Sequence, residues 1–596
     1  MKRFATVCLR CTGLLFLAML SVGASDVQNR RFDGLVPPSS SHYFSIQNYE
    51  GLIRKLESTP YDELLEEPDV RRFLRQLTDE MAEGLSTFRE ATGASPAEIE
   101  SVFRGPIALA ANHRSGATGR HQEQGGPWVL LLADVGPEAR VRELVDRLLW
   151  KTAGREDYRV TQERYRKHTV HHIAPRTDNG AGGKSRSGPH AEHGGINAYI
   201  CLENDFLALA SGRDRGALET HLDLRDGIEG PSLRQNPLYR ELYNDVGRGA
   251  DYLVFQDYEP LWASIRQTAR WSMLIPFRPA QVMKELGIFD LRGQMTGTRV
   301  TSDGVVSRGF VAAPGPRKGI LKALATGEKV EVTPPPFVGR DAGVYFGGHF
   351  SLPVMWEEIL RVIKTLNPTA HQQLRAQIDS DSAPIHIERD LIDAVGNRWY
   401  LYLPRDVIEN GQPRSVNATL AITVTEPATL RETLDRLARL PRSRRNLKRE
   451  EYENAVIYKM PPVPIFPGLY GGESASAPIQ ISLVVLEEHL VICMSPTMAR
   501  RIVSGHDRPS SPLRALPDFQ RAQSHALQSP HALFYLDQRA VGRWGWGVMK
   551  TLFNDGELDW PQYQTVEEYL DVSVGTMKWT EEGLRTKFWL GYPSDK

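Results

Sequence analysis

The chain has 596 residues, 41% hydrophobic and 24% charged, with a net charge of −1. That composition is globular, with no bias towards disorder, and the length asks for roughly two to four domains. It excludes the basic footprint of a nucleic-acid binder.

Residues 1–24 read as a secretory signal. Lys2, Arg3 and Arg10 give a positive start, Thr12–Leu20 a short apolar run, and Val22-Gly23-Ala24 the small residues of a cleavage site. The run is shorter than the ~20 residues a membrane span needs, so cleavage is expected over a retained anchor. No later stretch is apolar enough to span a bilayer once the signal is removed. Cys8 and Cys11 leave with the signal, and the mature chain carries −4 with only Cys201 and Cys493. Each remaining cysteine sits in an apolar run and reads as a buried small hydrophobe. The expected location is exported, periplasmic or extracellular, without dependence on disulfides.

Beyond a polar leader (25–35), a strand is expected at His42–Ile46, then a helix carrying Leu52, Ile53 and Leu56. Short helices follow at Tyr61–Glu66 and Val70–Met81, the second with Val70, Phe73, Leu74 and Leu77 at helical spacing. Strands come next at Ile107–Ala111 and Trp128–Ala133. Pro137 opens a helix with Val141, Leu144, Val145, Leu148 and Leu149 on one face. Asn197–Leu202 and Phe206–Ala210 form a hairpin across Glu203-Asn204-Asp205.

A second set of elements follows in the same order. Tyr43-Phe44 returns as Tyr345-Phe346, Arg142–Leu148 as Arg431–Leu437, and Tyr165 as Tyr452. Glu203 and Ser211 match Glu487 and Ser495, Leu233-Arg234 with Pro237 matches Leu513-Arg514 with Pro517, and Asp257 matches Asp537. Each half closes on a similar stretch, Thr298–Pro314 and Met577–Pro593, aligned over 17 positions without a gap. Its turn is placed at Asp303-Gly304, where glycine supplies a positive φ. The separation between matches falls steadily from 302 to 279 residues, so the second copy is collinear and slightly shorter. Self-similarity of this kind decides architecture. The expectation is α+β: two homologous units at 36–315 and 336–596, joined by a linker at 316–335. Each unit is expected to be a mainly antiparallel sheet with helices on one face, with a β-α-β-β core of ferredoxin-like type. Gly319–Leu324 is a short helix within the linker.

The opening Val36–Leu77 carries a resemblance. A proline, a Tyr-Phe strand, a helix, Thr59-Pro60, Glu66-Glu67-Pro68-Asp69-Val70 and then Phe73-Leu74 follow one another. With the signal and the later strand–helix units, this resembles a large group of secreted planctomycete-type bacterial proteins catalogued as a domain of unknown function. The resemblance implies an exported or envelope protein and assigns no catalytic residue.

His168, His171 and His172 share a strand, with His168 and His172 on one face, and His190 and His193 follow in a loop. A zinc site needs three or four converging ligands, and this pair alone does not supply them. Asp178–Ser185 ends like a phosphate loop but lacks its first glycine and the apolar helix after it. Gly472–Ser476 fails a nucleophile-elbow pattern at its last position. The segments 174–195 and 461–478, at matching places in the two copies, read as hairpin-tip insertions or binding appendages. Trp262–Phe277 and Val541–Phe553 are basic and Trp-bearing, fitting helices packed on a sheet or lying at a membrane interface. Asn417-Ala418-Thr419 matches a glycosylation sequon but leads straight into a strand.

No catalytic, cofactor-binding or metal-ligating residue is singled out. The leading expectation is a non-catalytic binding or structural component of the bacterial envelope, with an envelope protein or the membrane surface as partner. The alternatives are an extracytoplasmic hydrolase with a dispersed active site, and a carrier of apolar ligands or lipids using a groove between the halves.

Overall fold

The computed structural model describes residues 31–74, 76, 102–112, 127–136, 138–156, 158–176, 197–212, 215–271, 279–327, 333–380, 385–405, 408–409, 412–413, 417–440, 447–462, 479–506, 512–553 and 559–593. The signal segment, Pro137, His190, His193, Asp178–Ser185, Gly472–Ser476, most of 174–195 and 461–478, and the end of the Val70–Met81 helix lie outside the described residues.

Alternating apolar positions and short turns make the strands of the first half. They are β1 (His42–Ile46), β2 (Phe103–Asn112), β3 (Trp128–Val135), β4 (Tyr158–Tyr165), β5 (His168–Pro175), β6 (Asn197–Glu203), β7 (Phe206–Gly212), β8 (Tyr252–Asp257), β9 (Gly293–Thr301) and β10 (Gly304–Ala312). Two compact units divide the chain. The first takes residues up to Gln267, Arg292–Ser302 and Gly309–Val311; the second takes Thr268–Leu291, Asp303–Arg308 and Ala312 onward. In the first unit the sheet runs β4-β5-β6-β7-β3-β2-β1-β8-β9, antiparallel at every pairing. Two meanders laid side by side, without a parallel pair, replace the ferredoxin-like core expected.

Helices cover both faces of this sheet, which corrects the expectation of one. Ile46, Ile107, Ala133, Leu207, Ile200 and Ile173 pack against Leu52 and Ile53 of the helix Tyr49–Glu57 and Val141, Val145 and Leu149 of Glu138–Ala153. On the other face, Tyr43 and Phe255 meet Tyr239 of the helix Pro237–Val246 edge-on. Phe206 stacks on His221 of the helix Gly216–Arg225. The near-continuous apolar runs of β2 and β3 are what two-sided burial demands, and alternation alone did not anticipate it.

The second unit contains β11 (Ala342–His349), β12 (Val395–Pro404), β13 (Thr419–Val424), β14 (Lys448–Tyr452), β15 (Ala455–Lys459), β16 (Ser482–Val485), β17 (His489–Cys493), β18 (Ala532–Asp537), β19 (Val572–Trp579) and β20 (Gly583–Gly591). Its sheet runs β14-β15-β16-β17-β13-β12-β11-β18-β19-β20, again antiparallel throughout. Strand for strand, the first nine positions repeat the order of the first unit.

Most of the sequence matches land on equivalent elements. Arg166 and Glu453, at the β4–β5 and β14–β15 turns, both hold positive φ, 51° and 49°. That conformation costs an L-residue roughly 1–2 kcal/mol, so its occurrence at both places is informative. Leu233 and Leu513 each open a 3-10 turn before a helix led by Pro237 or Pro517. Asp257 and Asp537 each end a strand and cap the next helix: Asp257 Oδ1 accepts from the Glu259 N–H at 2.9 Å, and Asp537 Oδ1 from Arg539 and Ala540 at 3.0 and 3.3 Å. Two matches do not hold in this way. Glu203 ends β6 while Glu487 lies in the β16–β17 turn, and Ser211 lies within β7 while Ser495 caps the helix Pro496–His506.

Asp537 is 5% exposed and also pairs with Arg405 at 2.7 Å. Asp537→Ala removes the cap and the pair together. We expect it to lower the stability of the second unit by about 2 kcal/mol in a denaturant titration; an unchanged midpoint would rule out the cap as a stabilising contact.

The expected linker helix forms at Gly319–Ala325 and belongs to the second compact unit. Glu358, nearly buried, accepts from the Gly319 N–H at 2.8 Å, Lys322 Nζ at 3.1 Å and Arg361 Nε at 2.8 Å. Burial opposes its charge, but these donors hold the carboxyl below its usual range.

Candidate functional sites

Register carries one row of apolar side chains straight across each sheet. In the first unit the row is Val254, Phe44, Leu109, Leu131, Leu209 and Ile200 on β8, β1, β2, β3, β7 and β6. In the second it is Phe534, Phe346, Leu401, Leu420, Ile492 and Leu483 on β18, β11, β12, β13, β17 and β16. Neighbouring strands lie about 4.8 Å apart, so each row is about 24 Å long.

These rows are partly exposed. Val254 is 39% exposed, Ile200 is buried, and the other ten residues are half-buried. Phe588, in register with Phe534 through Gly575, is 37% exposed and continues the second row. The neighbouring positions point to the opposite face and are sealed, Tyr345 and Tyr535 at 0% exposure. In the first unit the helices Tyr49–Glu57 and Glu138–Ala153 seal the next row on the same face, Ile46–Ile107–Ala133–Leu207, and leave Phe44 and its neighbours partly uncovered. The pairs Phe44/Phe346 and Val254/Phe534 are positions that the sequence repeat aligns with each other. The Tyr-Phe dipeptide was visible as a repeat, but which ring faces water depends on the pleat and its neighbours.

A polar cavity of about 340 Å³ lies in the second unit, lined by Arg405, Asp518, Asp537, Arg539, Arg543, Glu567 and Asp571 among others. Its charges are paired with one another. Arg405 meets Asp537 at 2.7 Å, Arg543 meets Glu567 at 2.7 Å, Arg521 meets Asp571 at 2.5 Å, and Arg539 donates to the Leu570 carbonyl at 2.7 Å. Desolvation raises the pKa of Asp571, with Arg521 opposing it. The wall reads as a salt-bridge lattice bracing the β18–β19 strand ends.

The histidines fall on β5 as the alternation requires. His171 faces the side of Ile200, and His172 stacks on Tyr199 with ring centroids 4.5 Å apart. His168 is 1% exposed. Its Nδ1 lies 2.5 Å from Glu203 Oε1 and its Nε2 3.0 Å from Asp226 Oδ2. Lys167 also holds Asp226 at 2.8 Å, and Lys167, more than the histidine, keeps that carboxyl below its usual range. Cys201 lies on β6 on the same face, fully buried, its thiol pushed up to about 12 by burial. Cys493 is likewise a buried free thiol. The sequence reading grouped His168 with its neighbours along β5; its contacts come from β6 and from the end of the helix Gly216–Arg225. Among the described residues no helix is long and apolar enough to cross a membrane.

Comparison with known proteins supplies little. No protein-family model and no curated protein matches the chain. One solved structure, titled "Structure of crystal form I of TP0453", is similar at 15% identity and a TM-score of 0.22, covering 45% of this chain and 82% of that chain. A likeness of that size carries no argument about fold or function.

Proposed function

We propose that this is an exported, non-catalytic binding protein of the bacterial envelope, built by tandem duplication, in which each unit holds an extended apolar chain of acyl type along its open sheet row. The observation that carries the reading is the pair of half-exposed apolar rows at corresponding positions. Apolar side chains left partly exposed in a continuous row are costly in water and normally mark a binding surface. The duplication rests on the repeated strand order, the paired positive-φ turns and the paired strand-end caps. Export rests on residues 1–24 and agrees with the resemblance to secreted planctomycete-type proteins. The rows contain no charged or hydrogen-bonding side chain, which suits a hydrocarbon chain better than a peptide.

The test uses the mature chain, purified without detergent, and a fluorescent fatty acid. The wild type is expected to bind the probe, and Phe346→Glu with Phe534→Glu to weaken binding at the second row at least tenfold. The estimate follows from losing burial of two phenyl groups, each worth roughly 1.5–3 kcal/mol. Wild type that binds no apolar probe, or a folded double variant that binds it unchanged, overturns the proposal.

A further inference from the structure

We propose that His168, Cys201 and Glu203 form a site for a thiophilic divalent cation, zinc by preference, in the first unit. One ligand atom from each, Nδ1, Sγ and a carboxylate oxygen, lies within 4.8 Å of the other two. The three converge because β5 and β6 pair antiparallel and all three side chains point to the same face. Nitrogen, sulfur and carboxylate donors together match the coordination preferences of zinc. Three protein ligands leave a fourth position, and Glu203, 26% exposed at the end of β6, is where solvent reaches it.

The surroundings are those of a metal ligand rather than of an isolated ion pair. His168 Nε2 donates to Asp226 Oδ2 at 3.0 Å, the carboxylate–histidine arrangement that fixes a ligating imidazole with its other nitrogen towards the metal. Lys167 anchors Asp226 at 2.8 Å, while the Arg225 guanidinium, 3.7 Å from Glu203, is a positive charge that the cation must compete with. In the metal-free protein the His168 Nδ1–Glu203 Oε1 contact of 2.5 Å stands where the cation would bridge the two groups. Binding breaks that contact, releases the Cys201 thiol proton to solvent, and forms the Nδ1, Sγ and Oε bonds to the metal. Glu203 has to swing outward from its 2.5 Å contact to let tetrahedral ligands stand about 3.3 Å apart, and its place at a strand end permits this. The second copy has Ala455 where the first has His168, so the site belongs to one unit alone.

The experiment uses the mature chain without a histidine tag, stripped by chelator and titrated with cobalt(II), then zinc. The expected result is one cobalt per chain with a thiolate-to-cobalt charge-transfer band, bleached by zinc. Cys201→Ser abolishes the band, Glu203→Gln weakens cobalt binding at least tenfold, and Cys493→Ser changes neither. No thiolate band in the wild type overturns the proposal, whatever the variants do. So does a band that survives Cys201→Ser, and so does a folded Glu203→Gln protein that binds cobalt as tightly as wild type.

Discussion

Gly304→Ala lowers the stability of the second unit by about 3 kcal/mol or more. Gly304 was placed in the turn by its Asp-Gly dipeptide, but the turn residues are Ser302 and Asp303, and Gly304 opens β10. Its φ of 158° is positive, as the dipeptide predicts, and L-residues rarely adopt it, though it is not the left-handed helical value of a turn glycine. Proximity adds a second reason for glycine. A Cβ there would stand 2.3 Å from the Leu590 carbonyl oxygen and 2.7 Å from Trp589 Nε1. Neither neighbour can step aside: Leu590 is held by its pairing with Ser573, and Trp589 is fully buried, stacked on His525 at 4.2 Å. Guanidinium unfolding should show the second unit's transition moving to lower denaturant. Asp303→Ala, at an exposed side chain, should move it by no more than about 0.5 kcal/mol. A Gly304→Ala transition that coincides with wild type would show that the strands separate cheaply there, and the proximity argument would fail.

The history of that glycine shows what was legible in the chain. Local signals were: strand alternation, hairpin dipeptides, proline-led helices and the repeat all appear where the residues put them. The repeat was readable because the matched segments share local chemistry, as with Leu233/Leu513 and Asp257/Asp537. Strand order was not, because β3 pairs with β7 across 70 or more residues, and nothing in either segment names its partner. Helices on both faces were hidden for the same reason, since a buried strand and a half-buried one differ only in what packs on the polar-looking side. The candidate sites are properties of register. Phe44 and Phe346 are visible as residues, but their rows exist only once six strands are aligned. Cys201 read correctly as buried, yet its place beside His168 on one face requires the β5–β6 pairing across a long loop.

Between pH 7 and pH 4 the first unit loses about 3 kcal/mol of stability, and His221 is the cause. The ring is 0% exposed, stacked on Phe206 at 5.1 Å, with Nδ1 donating to the Leu35 carbonyl at 2.9 Å. Its Nε2 is buried without a hydrogen-bond partner, so the neutral tautomer fits and the imidazolium does not. Burial is the main cause, with a smaller contribution from the positive charges of Arg225 and His168, and together they lower its pKa from 6.5 to about 4 against the pull of the Leu35 carbonyl. Because the folded-state value lies below the unfolded one, the unfolded chain takes the proton first. The stabilisation is fully present above pH 6.5 and is lost as pH falls towards 4, at about 1.4 kcal/mol for each pH unit. The carboxylates Asp226, Glu358 and Asp390, all held below their usual range, lose their contributions only at the acid end of that window and beyond. His221→Phe keeps the stacking and removes the titrating nitrogen. It costs about 1 kcal/mol at pH 7 through the lost bond to Leu35, but its stability should change far less between pH 6.5 and 4.5. Parallel stability–pH curves for wild type and His221→Phe would show that another group carries the acid sensitivity, and would return this histidine to the role of an inert core side chain.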